Sequence, residues 1–191
     1  MYLKRKVYKD LLDWKQQNCL TLEVSGTRQA GKTFIINKFA DEQFARKLYI
    51  NMLENSGNEF LICLDRATRW EPGKDRPLRP LHDAFLLYDK TFVDDLDTVV
   101  IIDEIQESPR TYNLIREFTR SFQCRFIVTG SYLGRILNPE FKLSAGDLTS
   151  LRIETLTFEE FVDAFGEGEL FSRTGLYGTS DPASYERLKE L

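Results

Sequence analysis

The chain has 191 residues, 42% hydrophobic and 29% charged, with a formal net charge of −4. That length suits one domain with a core large enough to fold alone, and the weak acidity gives no overall field to draw in nucleic acid. No apolar run approaches the roughly 20 residues that span a bilayer. The basic start, Met1-Tyr2-Leu3-Lys4-Arg5-Lys6, leads into an amphipathic segment and not an apolar signal core, which places the protein in the cytoplasm with no membrane partner.

Apolar groups at Val7, Leu11, Leu12 and Trp14 fall close to helical spacing and predict an amphipathic helix over 4–17. Leu20–Val24 alternates as a strand that Ser25-Gly26 ends, and a helix follows over 32–45 with Phe34, Ile35, Ile36, Phe39 and Ala40 as its buried side. A second strand is expected at Lys47–Asn51, then helices near 57–65 and 81–92. Between them Arg66–Pro80 holds Pro72, Gly73, Pro77 and Pro80 and reads as irregular. Thr98–Ile102 is a continuous apolar run, as expected of a strand covered on both faces. A helix over 111–122 leads to another such strand, Cys124–Thr129. Leu151–Thr155 reads as a fifth strand, followed by a helix from Thr157 to Phe165 with Thr157 and Glu160 spaced as a capping box. A last helix is expected at Ser184–Leu191, and its uncapped end reads as a chain cut from something longer. Strands alternating with helices imply parallel pairing in a layered α/β sheet.

Cys19, Cys63 and Cys124 form no Cys-x-x-Cys pair and lie in or beside apolar stretches, so they read as small buried hydrophobes. His82 is the only histidine, which argues against a His-rich metal site or a Ser-His-Asp triad.

The segment with chemistry in it is Gly26-Thr27-Arg28-Gln29-Ala30-Gly31-Lys32-Thr33, which fits the phosphate-loop pattern G-x-x-x-x-G-K-[ST] without deviation. An apolar strand runs in and a helical pattern runs out, as the chemistry requires. The glycines let the backbone curl so that successive N–H groups point at phosphate oxygens, and the helix N-terminus adds partial positive charge. Lys32 is expected to bridge the β- and γ-phosphates of ATP, and the Thr33 hydroxyl to ligate Mg2+. Arg28 and Gln29 touch phosphate or a neighbouring strand end, and the residues leave both open.

Asp103 and Glu104 end the third strand. In a phosphate-loop enzyme an aspartate there holds magnesium, and the adjacent glutamate can take the proton of the attacking water. That glutamate favours hydrolysis over transfer to a small-molecule acceptor. Asn37-Lys38-Phe39-Ala40 lacks the aspartate that guanine recognition needs. The fourth strand ends in Thr129-Gly130-Ser131, where Thr129 is expected beside the γ-phosphate, Gly130 serves the turn, and Ser131 fits either use.

Ser25–Thr33, Ile101-Ile102-Asp103-Glu104-Ile105-Gln106, Val128–Ser131 and Leu156-Thr157-Phe158-Glu159-Glu160-Phe161 occur in that order. Together with the opening helix they resemble the AAA-like ATPases of bacteria and archaea that carry a C-terminal domain of unknown function. The resemblance covers residues 1–165. It implies a three-layer AAA+-like fold, α/β with a five-stranded, mostly parallel sheet, the phosphate-loop strand central and the Thr129 strand beside it. It implies Thr129 as a sensor, and a linker and truncated C-terminal region over 166–191. Many relatives carry Ala-Gly-Arg before the last strand where this chain has Ala145-Gly146-Asp147. Any activating arginine must then stand elsewhere or be absent, with Arg120 and Arg125 the nearest candidates by position, although a solvated helix-end charge is favoured for each.

The expected function is ATP hydrolysis with Mg2+, coupled to a conformational change in a partner or in the missing C-terminal domain. The alternative is a nucleotide-binding regulatory module with negligible turnover, and a small-molecule kinase is disfavoured. A homo-oligomer is compatible with the sequence. Nucleic acid could meet the basic loop Arg66–Pro80, which includes Trp70, but a solvated surface loop is favoured there.

Overall fold

The computed structural model describes residues 5–17, 20–69, 78–130, 138–142, 146–175, 178–179 and 181–190. Helix α1 (Val7–Gln17) precedes strand β1 (Thr21–Gly26), and α2 (Lys32–Gln43) precedes β2 (Arg46–Asn51). Helices α3 (Asn55–Thr68) and α4 (Pro80–Tyr88) lead to β3 (Thr98–Asp103). A 3-10 turn (Ile105–Glu107), α5 (Pro109–Tyr112) and α6 (Ile115–Ser121) lead to β4 (Arg125–Thr129). Strand β5 (Leu148–Ile153) and helix α7 (Phe158–Ala164) follow, then α8 (Gly168–Ser172), a two-residue pair β6 (Thr174–Gly175) and β7 (Gly178–Thr179), and α9 (Pro182–Glu190).

The sheet runs β2-β3-β4-β1-β5 and every pairing in it is parallel. Parallel neighbours need crossovers that cover the faces, and period-2 alternation sends β3 both ways. Val99 and Ile101 join Leu22, Val24 and Ile127 under α1 and α2, where Leu11, Trp14, Ile35, Ile36 and Phe39 close the layer. Val100 and Ile102 face the opposite layer with Ile50, Phe126 and Val128, under Phe60, Phe85, Ile115 and Phe118 of α3, α4 and α6. All six residues of β3 are buried, the apolar run Val99–Ile102 together with Thr98 and Asp103 at its ends. Phe118 stacks on Phe126 with centroids 4.7 Å apart. The result is the expected three-layer α/β sandwich with β4 beside the phosphate-loop strand β1; β1 is interior, between β4 and β5, and the central place expected for it falls to β4.

Several expected elements shift. Phe34 is 65% exposed and not part of the buried side. The 3.6-residue period groups Ile35, Ile36, Phe39 and Ala40 inward and leaves Phe34 with Lys38 and Asp41 on the outer face. The fifth strand begins at Leu148, three residues earlier than its apolar signal. Six pairs from Thr21↔Leu148 to Gly26↔Ile153 fix it along β1, and as an edge strand it needs no apolar outer face. The helix expected over 111–122 is two helices, broken at Asn113-Leu114, with Ser108 capping the first through Thr111 N at 3.2 Å. Helix α3 runs to Thr68 and Pro80 opens α4, so both ends of the stretch Arg66–Pro80 are helical after all. Residues 70–77, with Trp70, lie outside the described residues, as do Met1–Lys4, Cys19, Ser131 and Ala145. The capping box forms: Glu160 N donates to Thr157 Oγ1 at 3.2 Å and Thr157 N to Glu160 Oε2 at 2.9 Å. Cys63 and Cys124 are free thiols, half-buried and buried. Among the described residues no helix is long and apolar enough to cross a membrane.

Candidate nucleotide site

In an all-parallel sheet every strand delivers its C-terminal end to one rim, and the helix after it starts there. The chain turns from β1 into α2 at that rim through residues 26–32. Gly26 has φ 147°, and a Cβ placed on it would meet the Ile153 carbonyl oxygen at 2.0 Å, so β5 lies against the loop backbone and only glycine fits. Gln29 (φ 63°) and Gly31 (φ 80°) adopt left-handed backbone, the second as N-cap of α2 with no side-chain cap bond. The first-turn N–H groups of α2 therefore open onto the loop with the positive end of the helix dipole behind them. Lys32 Nζ folds back on the loop, donating to the carbonyls of Gly26 (3.1 Å) and Thr27 (2.8 Å).

Asp103, 4% exposed at the end of β3, is the centre of the polar network. Its Oδ2 accepts from Thr33 Oγ1 at 3.1 Å and from the Tyr49 hydroxyl at 2.7 Å. Its Oδ1 accepts from Glu104 N at 3.0 Å and from the buried Thr129 hydroxyl. A helix, two other strands and the next backbone N–H thus converge on one carboxylate. Thr33, Asp103 and Thr129, chosen from three separate stretches of sequence, are brought together. Hard oxygen donors from Thr33 and Asp103, side by side at a helix N-terminus, form a donor set that suits Mg2+ better than a soft metal.

Glu104 sits in left-handed backbone at φ 53°, sparsely populated for a residue with a Cβ. Its side chain accepts from the Gln106 amide at 2.5 Å. Gln106 in turn occupies the space above Gly130, where a Cβ would fall 2.2 Å from Gln106 Oε1. A side chain at 130 would have to displace the Gln106 amide and press on Ile105, so Gly130 leaves room for Gln106 as well as serving the turn.

Two residues at this rim escaped sequence reasoning. Tyr49 carries no motif, and its role follows only from the pairing Tyr49↔Ile101 and Asn51↔Asp103, which puts it on the same sheet face as Asp103. Burial, then the hydrogen bond to Asp103, pushes its phenol ionisation well above the usual range. Arg5 stood out in the sequence only as part of the basic start. Its guanidinium instead donates to the carbonyls of Ala30 (3.0 Å) and Glu154 (2.6 Å) and pairs with Glu160 at 3.3 Å.

The arginines considered for activation lie at the other rim. Arg120 donates to Asp147 Oδ1 at 2.7 Å and Arg116 to its Oδ2 at 3.3 Å, just before β5 begins. Arg125 opens β4, at the end opposite Thr129. A groove of about 900 Å³ runs beside α1, α2 and α7, lined among others by Lys6, Tyr8, Lys38, Glu42 and Glu159 and by none of residues 26–33.

A glycine-bent loop from an interior parallel strand into a helix, facing an aspartate on the next strand but one, defines a P-loop NTPase with the strand order of the AAA+ ATPases. The chain belongs to the AAA domain family, whose profile matches residues 20–162, and it is a nucleotide-binding module of ATPase type. Among solved structures it is similar to Drosophila ORC bound to DNA, with a TM-score of 0.50 and 11% identity over 87% of this chain and 45% of that one. That likeness shows the fold alone. Weaker matches are the Aeropyrum pernix ORC2 protein in ADPNP–ADP complexes (TM-score 0.43, 19% identity, 85% of this chain and 49% of that one) and unliganded Pif1 from Bacteroides sp. (TM-score 0.38, 11%, 92% and 50%). The chain spans about half the length of each of these chains. No curated protein matches it significantly.

Proposed function

We propose that the protein binds ATP through Gly26, Thr27, Arg28, Gln29, Ala30, Gly31, Lys32 and Thr33 and hydrolyses it to ADP and phosphate. The convergence of Thr33, Thr129 and the Glu104 backbone on Asp103 carries this reading. A buried carboxylate with so many hydroxyl partners beside a phosphate loop is arranged for a cation that travels with a polyphosphate. Thr33 and Asp103 would hold Mg2+, which offsets phosphate charge when bound. Lys32 would exchange the carbonyls of Gly26 and Thr27 for β- and γ-phosphate oxygens. Thr129, a donor fixed in the core of the rim, would orient the γ-phosphate or the water. Water attacks the γ-phosphorus, its proton passes to Glu104, and the bond to the ADP oxygen breaks. The Gln106 amide holds Glu104 Oε2, which would leave the other carboxylate oxygen to take that proton.

The released energy would drive a change in a partner or in a domain following residues 1–165, with 166–191 as the linker. Self-association and a cytoplasmic location fit the same reading. A second reading, a regulatory module that binds ATP with negligible turnover, is favoured by Asp147 standing where the resembling ATPases place an arginine.

Calorimetric titration with ATP and magnesium, with phosphate release followed in the same sample, separates the two. Glu104→Gln should keep wild-type affinity and lose about 10²- to 10⁴-fold in phosphate release, the usual worth of a positioned base. If the wild type binds but releases nothing, and the variant behaves identically, the regulatory reading stands instead.

A further inference from the structure

Arg5 is 25 residues from Ala30 in sequence, yet its guanidinium joins three separate pieces of the nucleotide rim: the loop at Ala30, the backbone just past β5 at Glu154, and α7 at Glu160. Both side chains of the ion pair are nearly buried, 13% and 5% exposed. The contact to Ala30 has a specific geometric consequence. A trans peptide is planar, and its C=O and N–H point in opposite directions. Drawing the Ala30 carbonyl toward Arg5 therefore turns the N–H of Gly31 away from Arg5. Arg5 also stands 3.8 Å from the Cβ position of Gly31, so it fixes that peptide at close range.

Arg5 is itself fixed. Glu160 accepts from Arg5 Nε and from Lys6 N at 2.7 Å while closing the capping box of α7 with Thr157. Burial pushes the Glu160 carboxyl up, but hydrogen bonds from the Thr157 and Lys6 amides and the charge of Arg5 outweigh it and hold it below the usual range.

We propose that Arg5 is a positioning residue of the phosphate cradle, orienting the Ala30–Gly31 peptide so that Gly31 N–H meets phosphate, with Glu160 of α7 as the anchor that holds Arg5 in place. The inference rests on ATP binding as proposed above. It adds a residue outside the loop motif and makes α7 part of the unit that recognises polyphosphate. The recognised chemistry is the polyphosphate and not the base.

The test titrates wild type, Arg5→Met, Arg5→Lys and Glu160→Gln with Mg·ATP and, separately, with Mg·tripolyphosphate, at temperatures well below each melting point. Arg5→Met should bind both ligands at least tenfold more weakly. Arg5→Lys keeps the charge but has no planar fork to reach three acceptors, and should remain several-fold weak. Glu160→Gln should weaken both ligands, and the double variant Arg5→Met/Glu160→Gln should be no weaker than Arg5→Met alone, because the anchor acts through Arg5. A lower melting point with wild-type affinity in Arg5→Met reduces Arg5 to a scaffold residue and overturns the proposal. Wild-type affinity in Arg5→Lys overturns the orienting geometry. Loss of ATP affinity with tripolyphosphate affinity unchanged overturns the assignment to the cradle. If the wild type binds neither ligand, the nucleotide reading itself falls and this inference with it.

Discussion

Replacing Tyr49 with phenylalanine removes one hydroxyl and leaves the ring, the strand and the packing against the α1–α2 layer in place. Asp103 then keeps three of the four donors described above, from Thr33, Thr129 and Glu104 N, so the carboxylate is not orphaned. The loss should sit at the low end of the range for a hydrogen bond to a charged group, about 1.5 kcal/mol. For a domain of this length that lowers the melting temperature by about 3–6 °C. Differential scanning calorimetry at neutral pH measures it, with an unchanged denaturant m-value as the control that only a contact was lost.

The same substitution has a signature in alkali. Burial and the neighbouring Asp103 raise the Tyr49 ionisation above its unfolded value of about 10. A group whose folded value is raised favours the fold while protonated. Its contribution is therefore fully present below about pH 10 and is lost as the pH climbs toward the folded value. Tyr88 is also raised by burial and shows the same trend in both proteins. The wild-type curve should consequently fall toward that of Tyr49→Phe above pH 10. Melting points that coincide at neutral pH would mean that water replaces the phenol at no cost, and would refute the idea that Asp103 depends on it.

Two further outcomes are expected. Gly26→Ala should destabilise the fold by about 2–5 kcal/mol, read as a lower denaturation midpoint, because its Cβ meets backbone and the φ is unfavourable; a wild-type midpoint would mean that β5 yields there easily. Hydrogen bonds from Arg120 and Arg116 hold the Asp147 carboxyl below its ordinary value, against burial. Its stabilising contribution is present above the unfolded carboxylate value and lost as the pH falls through the folded one. Asp147→Asn should thus flatten the acid limb of the stability curve, and an unchanged limb would show the cluster contributes nothing.

What could be read in the sequence was local or strongly patterned. The loop announces itself because its chemistry fixes residue types at fixed spacing. Strand β3 does so because burial on both faces selects the apolar run Val99–Ile102, and α7 because Thr157 and Glu160 satisfy each other within one turn. The start of β5 was hidden because an edge strand tolerates Thr149, Ser150 and Arg152, none of which is buried. Tyr49, Arg5 and the Gln106–Gly130 contact were hidden for a different reason. Their partners lie 54, 25 and 24 residues away and are brought to them only by strand order and register.

The two rims of the sheet carry opposite chemistry, and helix direction accounts for it. Helices α2, α3 and α6 run against the strands, so their N-termini lie toward the strand C-terminal rim and their C-termini toward the other; α4, whose N-cap Arg79 reaches Asp94, runs the opposite way. The first rim offers N–H groups and positive dipole ends, which suit a polyphosphate. The second suits cations, and Arg120 in the last turn of α6 stands there, paired with Asp147. Asp94 at the same rim accepts from the N–H groups of Gln123 and Cys124 that lead into β4 and pairs with Arg79 at 2.7 Å. Arg120, in the last turn of α6, and Arg125, at the start of β4, both stand at the rim away from this chain's own loop. If γ-phosphate chemistry here uses an activating arginine, Arg120 and Arg125 are on the wrong rim to supply it to their own site. They could serve only the site of another molecule, and Arg120 only after giving up Asp147.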